Sequence, residues 1–401
     1  MRKLLTLSAF VILFFVYELW ISQYHFSIIP DELEPENAAG FYDYRGITHA
    51  HTSLGLGSST PTEVVQAAQE VGLDFLFLTD LNNFEGNREI AGYHQKTLVF
   101  VAPQYSYLDA RLIHYDSLNP SSIGSLGEVQ IALTDLLSQS GEDAKKDLIV
   151  LAHPFKVGYS WSGAYPTGLD GIEVINLKSV YQRAWIKFKP SFLWSVLIYP
   201  FNSQLAFVRL YTEPRDELQL WNKLNQSQKV LGFSGSEATA RTGSVGDFYL
   251  KFPSYQTSFS LVTNHVLLRS ELTGDKTKDQ QKIMEALSEG QFYMALDLLG
   301  NPKGFSFSLV DGEKTFAMGA EVAWEKGMKL AVHLPRVPKV PYEIQFIKDG
   351  EHVMSASSLE SSYEVHGAGV YRVVVRVIPT LPLPDGKRWI SWIYSNPIYI
   401  R

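Results

Sequence analysis

The chain has 401 residues, of which 45% are hydrophobic, and a formal net charge of −7. This length is ample for a buried core and predicts two or three domains. The mildly acidic balance argues against a nucleic-acid partner, whose phosphates favour a basic surface. There is no cysteine, which excludes disulfides, thiolate metal sites and cysteine nucleophiles. Any metal ion must therefore be held by His, Asp and Glu, a ligand set that suits zinc, manganese or iron.

The N-terminal segment is charged and then apolar. Two basic residues precede an apolar run from Leu4 to Ile21 that contains one acidic residue, Glu18. Export signals have this layout, although the run is just short of the roughly 20 residues of a spanning helix. We predict that residues 1–25 are either an uncleaved membrane anchor or a cleaved signal peptide. In both cases the rest of the chain would lie outside the cytoplasmic membrane, in the cell envelope or secreted.

Residues 26–42 are acidic and contain prolines, which predicts a linker. An alternation of helices and strands follows. The segment Thr60-Pro61-Thr62-Glu63 has the pattern of a helix start with a capping box, and Phe75–Leu78 is a continuous apolar run typical of a buried parallel strand. The same patterns recur as strands at 98–101, 148–151, 171–176 and 230–233 and as helices near 126–137 and 216–224. Alternating strands and helices predict βα units around a parallel sheet.

Polar side chains follow these strands at the point where each one ends. They are Asp80, Gln104, His153, Asn176 and Glu237. In (β/α) barrels the active site is built at the carboxyl ends of the strands. The sequence therefore predicts a polar site at one end of a barrel.

The segment 192–201 is strongly apolar and aromatic, and it is too short to span a bilayer. Two interpretations are open: a buried or capping helix over the barrel, or a patch that faces the membrane.

After residue 301 the pattern changes to short alternating strands at 305–309, 330–334 and 371–377. The pairs Asp311-Gly312 and Asp349-Gly350 are typical of hairpin turns. We predict a small antiparallel β-sandwich over residues 301–401. Three histidines in this part are interpreted as solvent-facing strand residues: His333, His352 and His366.

The motif His49-Ala50-His51 follows the segment Tyr44-Arg45-Gly46-Ile47, which we interpret as the start of a strand. Residues two apart on a strand point to the same face, so both imidazoles can reach one metal ion. By itself this motif is a weak signal. It gains weight because the strand ending in Asp80, then His114, then His153 follow it in the order expected of a barrel.

The order of these motifs resembles the PHP (polymerase and histidinol phosphatase) metallohydrolases, and in particular extracytoplasmic, carbaryl-hydrolase-like members with a C-terminal β domain. The segments that carry the resemblance are His49-Ala50-His51, Thr79-Asp80, His114, Ala152-His153-Pro154, Gly171-Ile172-Glu173 and Gly235-Ser236-Glu237-Ala238-Thr239. The resemblance covers residues 43–300 well and the C-terminal part more loosely. It implies a distorted (β/α)7 barrel of the PHP type followed by the β-sandwich.

The resemblance also implies a site. The metal ligands would be His49, His51, His114, His153 and Glu237, with Asp80 and Glu173 as orienting groups or bases. Four positions depart from the family pattern: Leu81 and Thr239 replace histidines, Gln104 replaces a metal-bridging glutamate, and Glu237 conservatively replaces an aspartate. Clustered cations without a bridging anion repel each other. We therefore expect a reduced site with one divalent ion.

Two functions follow from these observations. The first is a metal-dependent hydrolase acting outside the cytoplasmic membrane on a small anionic substrate, most of all a phosphoester. The alternative is a catalytically degenerate PHP scaffold that acts as a binding module in the cell envelope. Nucleic-acid processing, a third function found among PHP proteins, is disfavoured by the acidic charge and the export signal. Arg45, Lys156 and Arg241 are either anion-binding residues or solvated surface charges.

Overall fold

The computed structural model describes residues 2–24, 27–29, 40–82, 85–115, 126–138, 148–186, 190–245, 248–383 and 385–401. Most of the predicted linker, at residues 30–39, lies outside the described residues. The fold is mixed α/β. The helices in the described part are α1 (Arg2–Ser22), α2 (Pro61–Glu70), α3 (Leu126–Ser138), α4 (Leu177–Ile186), α5 (Pro190–Ile198), α6 (Ser203–Leu210), α7 (Arg215–Leu224), α8 (Tyr255–Phe259) and α9 (Lys276–Glu289), with short 3-10 helices at Glu85–Ile90 and Asp297–Leu299.

The strands of the first three quarters of the chain are β1 (Tyr42–Ala50), β2 (Phe75–Leu78), β3 (Gly92–His94), β4 (Thr97–Val101), β5 (Gln104–Tyr107), β6 (Ala110–Tyr115), β7 (Leu148–Leu151), β8 (Gly171–Asn176), β9 (Leu231–Gly235), β10 (Thr242–Val245), β11 (Phe248–Leu250), β12 (Thr263–Leu268) and β13 (Phe292–Ala295). The C-terminal strands are β14 (Ser306–Asp311), β15 (Lys314–Ala317), β16 (Glu321–Val322), β17 (Lys329–His333), β18 (Tyr342–Lys348), β19 (Glu351–Ala356), β20 (Glu360–Glu364), β21 (Gly369–Val377), β22 (Thr380–Leu381), β23 (Gly386–Lys387), β24 (Ile390–Ser395) and β25 (Ile398–Ile400).

Two sheets position the candidate site. One contains β13, β12, β1, β2, β4 and β3 in that spatial order, and the other contains β5 to β9 in chain order. The pairs β1–β2, β2–β4, β7–β8 and β8–β9 are parallel, as the alternating pattern predicts. The pairs β5–β6 and β6–β7 are antiparallel. Isolated bridges between Leu81 and Gln104 and between Ala50 and Ala238 connect the two sheets.

An aromatic core lies between these two sheets. Phe77 on β2 stacks on Phe100 with ring centroids 4.2 Å apart, and its edge meets Tyr115 on β6 at 5.1 Å. Tyr115 in turn stacks on Phe233 of β9. Strands from both sheets therefore share one interior, and their carboxyl ends place polar residues around it.

The C-terminal strands continue the first sheet. β13 pairs with β24, and β24 pairs with β21, so one sheet runs across the predicted boundary after residue 300. A separate four-stranded sheet has the order β15-β14-β17-β20. The predicted turn at Asp349-Gly350 joins β18 to β19, and both residues have positive φ, as a two-residue hairpin turn requires. His352 and His366 are exposed, whereas His333 is half-buried and pairs with Glu360.

Helix α1 packs its C-terminal half against α5. The Trp194 ring lies 6.0 Å from Phe14 and 5.7 Å from Tyr17, centroid to centroid. Asn202, which caps α6, donates to the carbonyl oxygen of Ile21 at 3.1 Å. By length and composition α1 can cross a membrane: its Leu5–Ser22 window is apolar and only 11% buried. The apolar segment 192–201 thus forms most of α5 and the turn after it, and α5 contacts α1 on one side.

Candidate functional site

His49 and His51 lie side by side at the end of β1, as strand alternation predicts. Both are fully buried, and their Nε2 atoms are 3.2 Å apart. Burial and the neighbouring His49 hold the pKa of His51 well below its usual value. The His51 ring is therefore neutral at pH 7 and keeps a lone pair for a cation.

Glu173 fixes the orientation of His49. Its Oε1 lies 2.6 Å from His49 Nδ1, while its Oε2 accepts hydrogen bonds from the backbone of His153 and the side chain of Asn176. Burial alone would raise the pKa of Glu173, but the His49 imidazole and its hydrogen bond outweigh that effect and lower it. The ionised carboxylate accepts a hydrogen bond from the Nδ1–H group, so His49 Nε2 presents its lone pair to the centre of the site.

The spacing of the two histidines fits one metal ion. Two imidazole nitrogens bound to a tetrahedral zinc ion at ~2.0–2.1 Å would lie roughly 3.3 Å apart, close to the 3.2 Å found here. The side-chain amide of Gln104 lies beside this pair, and its N–H group donates toward His49 Nε2 at 3.2 Å. In the part of the chain that the structure describes, no three His, Asp or Glu side chains are arranged to hold an ion. The donors thus fit a single ion bound by two imidazoles, with a neutral amide beside them.

His153 and Glu237 have strained backbones. Their φ angles are +35° and +45°, in the left-handed region that costs a residue with a Cβ about 1–2 kcal/mol. Both side chains are buried, and within the described residues His153 Nδ1 and Glu237 Oε2 have no hydrogen-bond partner. Burial lowers the pKa of His153 to about 4, so its ring is neutral at pH 7. Strain together with an unpartnered polar atom is the kind of feature found at functional sites.

Two lysines occupy the surroundings of Glu237. Lys156 contacts Glu237 Oε1 directly, and Lys178 Nζ lies 3.6 Å from the same atom. Burial alone would raise the pKa of Glu237, but His153 and the two lysines hold it well below its usual value. The carboxylate is therefore ionised and partly neutralised by ammonium groups of the chain itself.

A cavity of about 460 Å³ opens above these residues. Among the described lining residues, Arg111, Lys156, Lys178 and Arg241 are cationic and one, Glu237, is a carboxylate. Arg111 is held by a 2.6 Å hydrogen bond to Ser106 and by the Tyr159 ring 4.5 Å away. This excess of positive charge suits an anionic ligand such as a phosphate group.

The four positions at which the sequence departs from the pattern of the resemblance line the same cavity. Leu81, Gln104 and Thr239 lie there with His153 and Glu237. Of the predicted ligands, His153 and Glu237 therefore lie in the cavity wall, whereas His114 does not line it.

Asp80 lies beside His51 and organises the loop after β1. Its two oxygens accept hydrogen bonds of 2.6 Å from the backbone and the hydroxyl of Thr52, and Oδ1 lies 4.0 Å from His51 Nδ1. These contacts match an orienting role better than that of a base exposed to substrate.

Two predicted residues lie away from this group. His114 on β6 pairs with Ile149 and shares its face of the sheet, whereas Ile113 and Tyr115 on the opposite face pack in the interior. Strand alternation thus points His114 away from His49. Arg45 pairs with Asp297 at 3.3 Å near the start of β1, far from the cavity.

Two cations of the cavity were missed as candidates from the sequence. Lys178 comes two residues after Asn176, a polar strand end, and the strand-end rule extended by one turn would have found it. Arg111 shares a strand face with Ile113. Its position at the cavity depends on the antiparallel β5–β6 pair, which the sequence does not reveal.

No family model and no curated protein matches this chain. Among solved structures, the chain is similar to a two-domain protein from Bacteroides vulgatus ATCC 8482 that contains a predicted PHP-like metal-dependent phosphoesterase, at 12% identity and a TM-score of 0.41, over 90% of this chain and 99% of that one. It is also similar to a candidate metal-dependent phosphoesterase from Bifidobacterium adolescentis ATCC 15703, at 13% identity and a TM-score of 0.28, over 51% of this chain and 92% of that one.

Proposed function

We propose that this protein is a PHP-type, metal-dependent hydrolase that cleaves phosphoesters at a single-ion site. The observation that carries the proposal is the oriented imidazole pair, His49 and His51, next to a cavity with an excess of positive charge. Gln104 connects the two features, because it lines the cavity and contacts His49.

Each group has a distinct task in this proposal. His49 and His51 would hold the ion. His153 and Glu237 line the adjoining cavity, and each has a buried atom without a hydrogen-bond partner in the described chain. His114 is left out of the ligand set. A bound ion supplies Lewis-acid polarisation of the phosphoryl oxygen. Glu173 orients His49, and the cationic side chains around the cavity bind and position the phosphate.

Metal analysis and a phosphodiesterase assay test this function. The purified full chain, reconstituted with zinc, manganese or iron, should retain about one ion per chain and hydrolyse bis(p-nitrophenyl) phosphate. The variants His49→Ala and His51→Ala should lose both properties. His352→Ala, which removes an exposed histidine outside the site, is the matched control and should keep both. Retention of less than about a tenth of an ion per chain would rule out metal-dependent hydrolysis.

The second candidate, an envelope binding module without catalysis, is favoured by one observation. Lys156 and Lys178 already neutralise Glu237, the carboxylate that would otherwise attract a metal ion. The variant Lys156→Met separates the two functions. In a hydrolase it removes a cation that competes with the metal, so occupancy at limiting zinc rises while KM for the anionic substrate increases. In a binding module, zinc occupancy stays negligible in both proteins.

We propose that the part of the chain after α1 lies outside the cytoplasmic membrane and that α1 anchors it. Its support is the apolar, mostly exposed Leu5–Ser22 window. In membranes from expressing cells, the full chain should resist extraction with alkaline carbonate, and protease added to the outer face should digest it. Full protection from external protease would contradict this location.

A further inference from the structure

A second, apolar cavity adjoins the charged one. It has a volume of about 280 Å³ and is walled mainly by α4, α5 and α6, close to the lower end of the roughly 300–1,000 Å³ found for ligand pockets. Apolar side chains contributed by these helices include Trp185, Phe192, Val196, Phe207 and Leu210. Contact with such a surface does not stabilise a bound bare phosphate, but it does stabilise a bound alkyl chain.

The two cavities meet at a common set of residues. Five of the described residues line both of them: Lys156, Lys178, Glu237, Thr239 and Arg241. The cationic groups therefore stand at the junction, with a polar compartment on one side and an apolar compartment on the other. A ligand that fills both needs an anionic head joined to a hydrophobic tail.

Helix α5, which lines the apolar cavity, also packs against α1, the helix that can cross a membrane by length and composition. On α5, Val196 lines the cavity, while Leu193 and Leu197 are about half exposed. The Trp194 ring on the same helix packs against α1. Helix α5 thus contacts α1 with one face and the apolar cavity with another, and it carries the exposed apolar residues Leu193 and Leu197.

We propose that the ligand of this site is a membrane lipid with a phosphate headgroup, whose alkyl chain lies in the α4–α6 cavity and whose headgroup lies among the cations of the charged cavity. The lipid reaches the site from the bilayer next to α1. This inference rests on the proposed phosphoesterase function for the fate of the lipid, but its binding does not depend on catalysis.

Calorimetric binding of n-alkyl phosphates, from ethyl to dodecyl phosphate, tests the inference. The full chain is placed in phosphatidylcholine nanodiscs with a chelator, so that hydrolysis cannot interfere, and the heat with protein-free nanodiscs is subtracted. Each added methylene should tighten binding about fourfold until the chain fills the cavity. Dodecyltrimethylammonium, with the same chain and a cationic head, should bind at least a hundredfold more weakly than dodecyl phosphate, which corresponds to roughly 2.7 kcal/mol.

Two neighbouring residues on α5 provide matched variants. Val196 lines the cavity and is 46% exposed, whereas Leu197 does not line it and is 49% exposed. Val196→Glu should abolish the dependence on chain length, and Leu197→Glu should preserve it, with both variants melting at similar temperatures. Equal chain-length dependence in the two variants, or none in the unmodified chain, would overturn the inference.

The outcomes also separate this inference from the proposed function. If the chain hydrolyses bis(p-nitrophenyl) phosphate but binds ethyl and dodecyl phosphate equally, the hydrolase stands and the lipid site is wrong. If binding depends on chain length but no metal supports hydrolysis of bis(p-nitrophenyl) phosphate or of dodecyl phosphate, the lipid site stands and the hydrolase is wrong.

Discussion

The Glu173 carboxylate links the ends of three strands through His49 Nδ1 at 2.6 Å and the backbone amide of His153 at 2.8 Å. Its Oε2 also accepts from Asn176 at 2.9 Å. All three partners donate, so both oxygens must act as acceptors. A carboxamide has one acceptor oxygen and would place an N–H group against at least one of these donors.

Glu173→Gln should therefore weaken metal binding by about 10–100-fold, the usual effect of losing an orienting partner of a ligating histidine. Competition with a chelating dye measures it. Glu217→Gln is the matched control, because Glu217 is equally buried and pairs with Arg183 outside the cavity. Equal metal affinity in the two variants would show that Glu173 does not orient His49.

Gly235 should be required for the same arrangement. A Cβ atom at this position would overlap Glu173 Oε1, so Gly235→Ala should displace the carboxylate and weaken metal binding as well as stability. Gly171→Ala is the comparison, since a Cβ there would come 2.6 Å from the Phe233 ring and disturb the apolar interior. Both should lower the melting temperature, but only Gly235→Ala should also reduce metal affinity. A drop in metal affinity of the same size in Gly171→Ala would contradict the distinction.

The sequence predicted the local elements well because their signals are local. The capping box at Thr60 is present in α2, and the apolar runs at 75–78, 148–151 and 171–176 are the strands β2, β7 and β8. Alternation also placed His49 and His51 on one face, since period-two geometry needs no tertiary information.

The parts that the sequence did not predict depend on distant contacts. The antiparallel β5–β6 and β6–β7 pairs decide that Arg111 faces the cavity while His114 shares the face of Ile149. The burial of Lys156 depends on Glu237, which is far from it in the chain. The continuity of β13 with β24 joins parts of the chain that differ in local pattern. None of these pairings can be recognised from a short window of sequence.

The left-handed backbone at Glu237 makes a prediction about stability. At φ +45° a glycine is unstrained, whereas alanine keeps the clash of its Cβ. Glu237→Gly should therefore be about 1 kcal/mol more stable than Glu237→Ala, against the usual order of these residues. Both variants lose the same carboxylate, so the comparison isolates the backbone. Chemical unfolding measures the difference, and a more stable alanine variant would contradict the strain at this position.

The buried His265 on β12, which pairs with Arg45 of β1, makes the stability of the protein depend on pH. His265 Nδ1 lies 2.8 Å from Asp43, and its Nε2 lies 3.2 Å from Asp297. Burial alone would lower the pKa of His265, but the two carboxylates outweigh it and raise the pKa to about 9. The unfolded value is roughly 6.5, so the folded state binds the proton more tightly.

The sign follows from this linkage. Because the pKa of His265 is higher in the folded state than in the unfolded state, protonation of His265 stabilises the folded protein. This stabilisation is complete below the unfolded-state pKa and is lost as the pH rises through the folded-state pKa. The free energy of unfolding should thus fall by about 3 kcal/mol between roughly pH 6.5 and 9. His265→Gln should flatten this slope, while the exposed control His352→Gln should keep it. Denaturant unfolding across this pH range measures both variants, and a slope that survives in His265→Gln would assign the titration to another group.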